Sequence, residues 1–233
     1  MVKLSTIAPD TDVYRLVAEY FLSGGASGEK MLFQVGPGYG LILASLQLLF
    51  GPNSLSALIF NVIVGSLGSV LIYMLAYYLI HSRVVALVAG IIVALSTTSI
   101  SLSCIILSDQ PFFTIHACAL VCFVLGFRTG KMSWFIAAGI AGGLGAMIRG
   151  IGQFWWLIFV LIPLLIPVSD RFSSRLSMVK KAGLTGGIML LVVLTWSTRN
   201  YLTHDVFTFG GNGLAAARSY WAASSVANHT EDC

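Results

Sequence analysis

The chain has 233 residues, 57% of them hydrophobic and only 9% charged, with a formal net charge of +4. An ordinary soluble domain carries roughly 25% charged residues, so this composition excludes a water-soluble globular protein and calls for counting in membrane spans of about 20 residues. Its thirteen lysines and arginines are spread over short loops rather than gathered in one basic stripe, which excludes nucleic acid as a partner and leaves charge as a guide to orientation.

The chain opens with MVKLSTIAPDTD, which holds no long apolar stretch, so no cleavable signal peptide is expected. PDTDVY at 9–14 is followed by RLVAEYFLSGG, an apolar-polar stretch that reads as a short surface helix. The first apolar run, 37–50, would rise only about 22 Å as a helix, short of the roughly 30 Å hydrocarbon core. It starts with VGPGYG, a helix-breaking string, and is expected to be interfacial or re-entrant. Six further apolar runs follow at 55–80, 84–103, 110–127, 132–148, 151–168 and 182–198. The expected fold is therefore an all-α polytopic membrane protein with about six spanning helices plus short interfacial helices. It would form one domain over 1–233: a loop with interfacial helices at 1–53, a helical bundle at 54–198 and a tail at 199–233.

Charge orients the bundle. Arg83, Arg128, Lys131, Arg171, Arg175, Lys180 and Lys181 follow the 55–80, 110–127 and 151–168 runs, so the positive-inside rule makes those loops cytoplasmic. The opposite span ends carry Asp109, Arg149, and Arg199 with Asn200, which then share the outer face. Asp10, Asp12 and Glu19 join them if the 37–50 run does not cross.

Other features read as packing. AAGIAGGLGAM places Gly139 and Gly143, and Ala141 and Gly145, four apart, a spacing that lets helix backbones approach closely in lipid. Trp155, Trp156 and Tyr39 fall near span ends as interface anchors would. Pro163 and Pro167 should kink or end their helix. Cys104, Cys118 and Cys122 lie in apolar runs as small core residues, Cys233 is the last residue, and no His or Cys spacing supports a metal site. Asn61 should bridge helices, and His81 should be an interface residue. His116, seven residues past Asp109, shares its helix face within about 20°; it either lines a cavity or hydrogen-bonds a neighbouring helix.

Two acidic loops facing two arginines make a site. A carboxylate beside a dry cavity can act as general base or hold a divalent cation, and guanidinium groups bind phosphate through a planar fork of donors. Acids and arginines at a membrane edge suit a phosphate-bearing lipid.

The order PDTDVYRLVAEYFLSGG, VGPGYGLILASLQLLFG, ILSDQPFF, GGLGAMIRG and WSTRNY…FTFGGNG resembles the polyprenyl-phosphate-dependent membrane glycosyltransferases of the C-type fold. These include the protein O-mannosyltransferases and the lipid A aminoarabinose transferases. The family's first outer loop has a pattern like Pro-Asp-Ser-x-x-Tyr, which falls on Pro9, Asp10, Thr11 and Tyr14 and makes Asp10 the implied catalytic acid. Its second outer loop has an acid after Ser or Thr, which falls on Asp109. The Arg ending its GLxxxxR element corresponds to Arg149, and its W-x-x-R-N element to Trp196, Arg199 and Asn200. Family members begin with a spanning helix before the first acidic loop and run on through further spans, so the chain is expected to be a fragment of a longer enzyme.

The resemblance implies transfer of one sugar from a polyprenyl phosphate to a hydroxyl of a lipid, glycan or protein, with inversion at the anomeric carbon, at the outer face of a bacterial plasma membrane. Asp10 would take the acceptor proton, and Arg149 or Arg199 would stabilise the departing phosphate. Tyr14, Asn200 and His116 would contact substrate. Asp109 would position the sugar or the acceptor, or hold a divalent cation. Two rival readings remain: a transporter, which would place ionisable groups and broken helices near the midplane, and a non-catalytic subunit or inactive fragment.

Overall fold

The computed structural model describes residues 10–25, 32, 35–165, 174–205 and 207–209, and among them there is helix and turn but no strand. The helices are α1 (Thr11–Leu22), α2 (Pro37–Phe50), α3 (Ser54–Ile80), α4 (Arg83–Ala94), α5 (Thr97–Ser103), α6 (Asp109–Thr129), α7 (Met132–Ile148), a 3-10 turn (Gly150–Phe154), α8 (Trp155–Leu165) and α9 (Arg175–His204). Short polar side chains start several of them. Asn53 accepts from the Ser56 amide at 2.9 Å ahead of α3, and Ser174 from the Ser177 amide at 3.2 Å ahead of α9, each satisfying one of the free amides of a first turn. Gly130, at a left-handed φ of 70°, closes α6 where most side chains would be strained.

In lipid there is no hydrophobic drive between helices, so close packing and interhelical hydrogen bonds hold the bundle. α6 and α7 run antiparallel, with Gly126 against Phe135 at one end and Asp109 against Arg149 at the other. α7 and α9 run in the same direction. A methyl group on Gly139 would come within 2.9 Å of the Thr185 carbonyl, and one on Gly143 within 2.8 Å of Val192. The glycine pair read from the sequence is therefore the face that admits α9. Thr185 adds a buried hydrogen bond to the Phe135 carbonyl at 2.9 Å. α8 closes this group, with Phe159 edge-on to Phe123 of α6 at 4.8 Å. On the other flank α3 lies along α6, with Thr114 donating to the Val64 carbonyl at 2.8 Å, and α4 packs on α3 through Gly90 against Tyr73.

The span count differs from the sequence expectation of six. Among the described residues three helices, α3, α6 and α9, are long and apolar enough to cross a membrane, or up to four if α4 and α5 together count as one broken span. The 84–103 run is not straight: α4 and α5 meet at a bend of 51°, where Ser96 turns its hydroxyl to the Ser99 amide and starts a second helix. α7 and the Gly150–Leu165 segment are shorter apolar helices. Arg171 and Pro167, together with the residues beyond 209, lie outside the described residues.

Helix direction sorts the charges as expected. Asp109 at the start of α6, Arg149 after α7 and Arg199 near the end of α9 come to one end of the bundle. Arg128, Lys131, Arg175, Lys180 and Lys181 come to the other, where Lys181 donates to the Gly130 carbonyl at 2.7 Å. α2 begins and finishes at the Asp109 end. Its Gly38 lies so close to the end of α7 that a methyl group there would come within 2.8 Å of the Met147 backbone, and its far end leads into Ser54, whose hydroxyl accepts from Arg15 of α1 at 3.0 Å. Tyr39 is fully buried here rather than anchored at the lipid interface, because its ring packs edge-on against Tyr14 at 5.0 Å and its hydroxyl meets Asn61.

Candidate active site

The segment 104–108 carries the site and is held from two sides. From α3, the fully buried Asn61 donates to the carbonyls of Ile105 at 2.8 Å and Leu107 at 3.3 Å, and pairs with the Tyr39 hydroxyl. From α1, Thr11 donates to the Ile106 carbonyl at 3.0 Å, and the Tyr14 and Ser108 hydroxyls meet at 2.7 Å. Ser108 precedes α6 but does not cap it with its side chain, since that hydroxyl is engaged with Tyr14. Asp109 then occupies the first turn of α6, where the helix dipole favours a negative charge.

Asp109 forms an ion pair with Arg149, at 30% and 42% side-chain exposure respectively. The carboxylate at the span junction is thus held by the guanidinium contributed by the end of α7. Asp10, just before α1, is exposed, and among the described residues nothing pairs with its carboxylate. Tyr14 lies near both acids, with its hydroxyl on Ser108. Burial raises its phenol above the ordinary value, the Ser108 hydrogen bond pulls it back in part, and the charges of Arg149, Asp10 and Asp109 all act on it. It is a neutral hydroxyl at physiological pH, set among three charged groups.

Arg199 reaches the other half of the site. Its guanidinium donates to the Tyr20 hydroxyl at 2.8 Å, lies 5.1 Å from the Trp196 ring centroid, and donates to Asn200 Oδ1 at 3.1 Å. All of these partners are neutral, and among the described residues no carboxylate compensates the charge. Asn200 is fully buried, and its amide donates to the Thr208 carbonyl at 2.8 Å, so both ends of its side chain are occupied. His116 is also buried, with its ring centroid 4.2 Å from that of Phe112 and 4.5 Å from that of Trp155, and Nδ1 at 3.0 Å from the Phe112 carbonyl. It lies within the packed interior under the α6 N-terminus and not on an open wall.

Two grooves lead away from these groups. One, of about 650 Å³, runs along α9 past Leu190, Leu191 and Leu194 to Arg199. The other, of about 410 Å³, lies at the α4–α5 bend and has Asp109 and Gln110 on its edge. Among the described residues no three His, Cys, Asp or Glu side chains cluster as metal ligands would.

Sequence reasoning singled out neither Tyr20 nor Ser108 as a site residue. Tyr20 had no distinguishing signal in an apolar-polar stretch, whereas Ser108 stands in ILSDQPFF and could have been found from its place beside the acid.

A helical membrane bundle that gathers two acids and two arginines at one end, with an apolar groove reaching a cation that no described carboxylate pairs with, has the architecture of an integral-membrane enzyme acting on a lipid phosphate. The chain belongs to the dolichyl-phosphate-mannose-protein mannosyltransferase family, whose profile matches residues 7–203. It is thus a membrane glycosyltransferase of the inverting C-type class, using a polyprenyl-phosphate sugar donor. No curated protein and no solved structure matches the chain.

Proposed function

We propose that the chain transfers a monosaccharide from polyprenyl phosphate to a hydroxyl of a lipid, glycan or protein at the outer face of a bacterial plasma membrane, with Asp10 as general base and Arg199 as the cation that receives the leaving phosphate. The observation that carries this reading is the apolar groove on α9 that takes in Arg199, whose charge no described carboxylate cancels. A polyprenyl chain in that groove brings its phosphate to the guanidinium. Asp10, bare and exposed beside Tyr14, takes the proton of the acceptor hydroxyl. The acceptor oxygen then bonds to the anomeric carbon from the face opposite the phosphate. The bond from carbon to phosphate oxygen breaks, and the oxygen leaves with the electron pair as polyprenyl phosphate.

The remaining residues divide by their contacts. Asp109, held by Arg149 and fixed at the start of α6, orients the sugar or the acceptor. Tyr14 offers a neutral hydroxyl between the acids. Asn200 fixes Arg199, and His116 supports the α6 N-terminus from within the bundle.

The test is sugar transfer by the chain in proteoliposomes with labelled polyprenyl-phosphate mannose and a hydroxyl acceptor. Asp10→Asn should lower kcat by about 10²- to 10⁴-fold, the range for a lost general base, while Arg199→Gln lowers kcat/KM for the donor. Transfer by Asp10→Asn at the parent rate removes Asp10 from the mechanism.

A further inference from the structure

We propose that the α1–α2–α3 junction holds a bilayer phospholipid with a phosphoethanolamine headgroup, at a site separate from Asp10, Asp109 and Arg199. Two adjoining cavities form it. The first, of about 350 Å³, is polar and lined by Arg15, Glu19, Gln47 and Ser54. The second, of about 430 Å³, is apolar and lies along α3 from Leu55 to Ile63, with Phe50 of α2 on its wall. Leu46, Asn53 and Ser56 line both cavities, so the two adjoin along that edge. The eight-residue step from Leu55 to Ile63 rises about 12 Å, room for much of one acyl chain. Ser54 is the first residue of α3, which puts the polar cavity at the end of a span and the apolar one on its flank.

Charge selects the headgroup. Arg15 and Glu19 stand four apart on α1, a spacing at which opposite charges often join, yet both line the cleft and among the described residues they form no ion pair with each other. Arg15 instead donates from Nη2 to Ser54 at 3.0 Å and lies 3.8 Å from Asp12 through Nη1. A headgroup with a phosphate for Arg15 and a primary ammonium for Glu19 satisfies both. A purely anionic headgroup would meet Glu19 and Asp12 as well as Arg15, and a quaternary ammonium has no hydrogen to donate to the carboxylate. A lipid seated here would fill the gap between α2 and α3 and hold the non-crossing helix against the bundle.

Native mass spectrometry of the purified chain with equal amounts of phosphatidylethanolamine and phosphatidylglycerol of the same acyl chains tests this. The parent chain should retain phosphatidylethanolamine in about tenfold excess, the ratio for one charge-assisted hydrogen bond. Glu19→Gln should bring the ratio toward one, because only the ammonium partner is lost. Ile59→Trp should lower retention of both lipids by filling the groove. Glu19 and Ile59 are exposed, so neither variant disturbs the core. Equal retention of the two lipids by the parent chain, a ratio unmoved by Glu19→Gln, or retention unmoved by Ile59→Trp would each overturn the site. Sugar transfer is not the readout, so failure of the catalytic assignment leaves this result standing.

Discussion

Asn61→Ala removes the only side chain that ties the interior of α3 to both the Ile105 and Leu107 carbonyls among the described residues. Its amide has two hydrogens for three acceptors, Ile105 at 2.8 Å, the Tyr39 hydroxyl at 3.1 Å and Leu107 at 3.3 Å, so two full hydrogen bonds is the fair count. Interhelical hydrogen bonds in membrane proteins average about 0.6 kcal/mol and reach about 1.7, and a buried acceptor left empty adds about 1–3. The sum is a loss of about 2–4 kcal/mol. For a chain of this size about 1 kcal/mol corresponds to 2–4 °C, so Tm in detergent should fall by about 4–16 °C. Hydrogen exchange over residues 104–108 should accelerate by about 30-fold or more, since each 1.4 kcal/mol is tenfold. Tyr39→Phe deletes only the hydroxyl contact and should cost less. An Asn61→Ala chain that melts within a degree of the parent, or no lower than Tyr39→Phe, would show that the segment is held by α1 alone.

Gly145→Ala should destabilise by about 1–3 kcal/mol through overpacking: the added methyl would sit 2.6 Å from His116 Nδ1, and the ring is confined by Phe112 and Trp155. Adding His116→Ala to that variant should recover part of the loss in a thermal melt, and strictly additive losses would refute the clash. Single cysteines at Glu19 and Lys180, in a background without the native ones, should react with impermeant thiol reagents from opposite sides of the membrane; labelling from one side would mean that the two ends of the bundle have been assigned wrongly.

The composition and the charge placement in the sequence were enough to recover the helical membrane class and the sorting of Asp109, Arg149 and Arg199 to one end, because the bilayer punishes any other arrangement. The Gly139–Gly143 stripe was legible for the same reason: four-residue spacing on a helix has one geometric meaning. The break at Leu95–Ser96 was not, since VALSTTSISL stays apolar on average and a hydropathy window averages over the single serine that starts a new helix. Tyr39 was misread as an interface anchor because periodicity does not reveal that α1 folds back over it. The Asp109–Arg149 pair joins residues 40 apart in sequence, and only the antiparallel packing of α6 and α7 brings them together.

That pairing also bears on which acid does which task. In the proposed reaction Asp109, its carboxylate held by the guanidinium of Arg149 at the start of α6, is placed to orient. Asp10 has no such partner among the described residues and is exposed, so an acceptor hydroxyl can reach its carboxylate. The cations divide in the same way. Arg149 is neutralised before any substrate arrives, whereas Arg199 rests on Trp196 and Tyr20, which orient its plane without cancelling its charge. In the proposed reaction negative charge grows on the phosphate oxygen as its bond to the sugar breaks. An interaction that strengthens between ground state and transition state accelerates the reaction, whereas one equal in both only tightens binding. Arg199, preoriented on an apolar groove and paired with no carboxylate among the described residues, is placed to act in the first way, and Arg149, through Asp109, in the second.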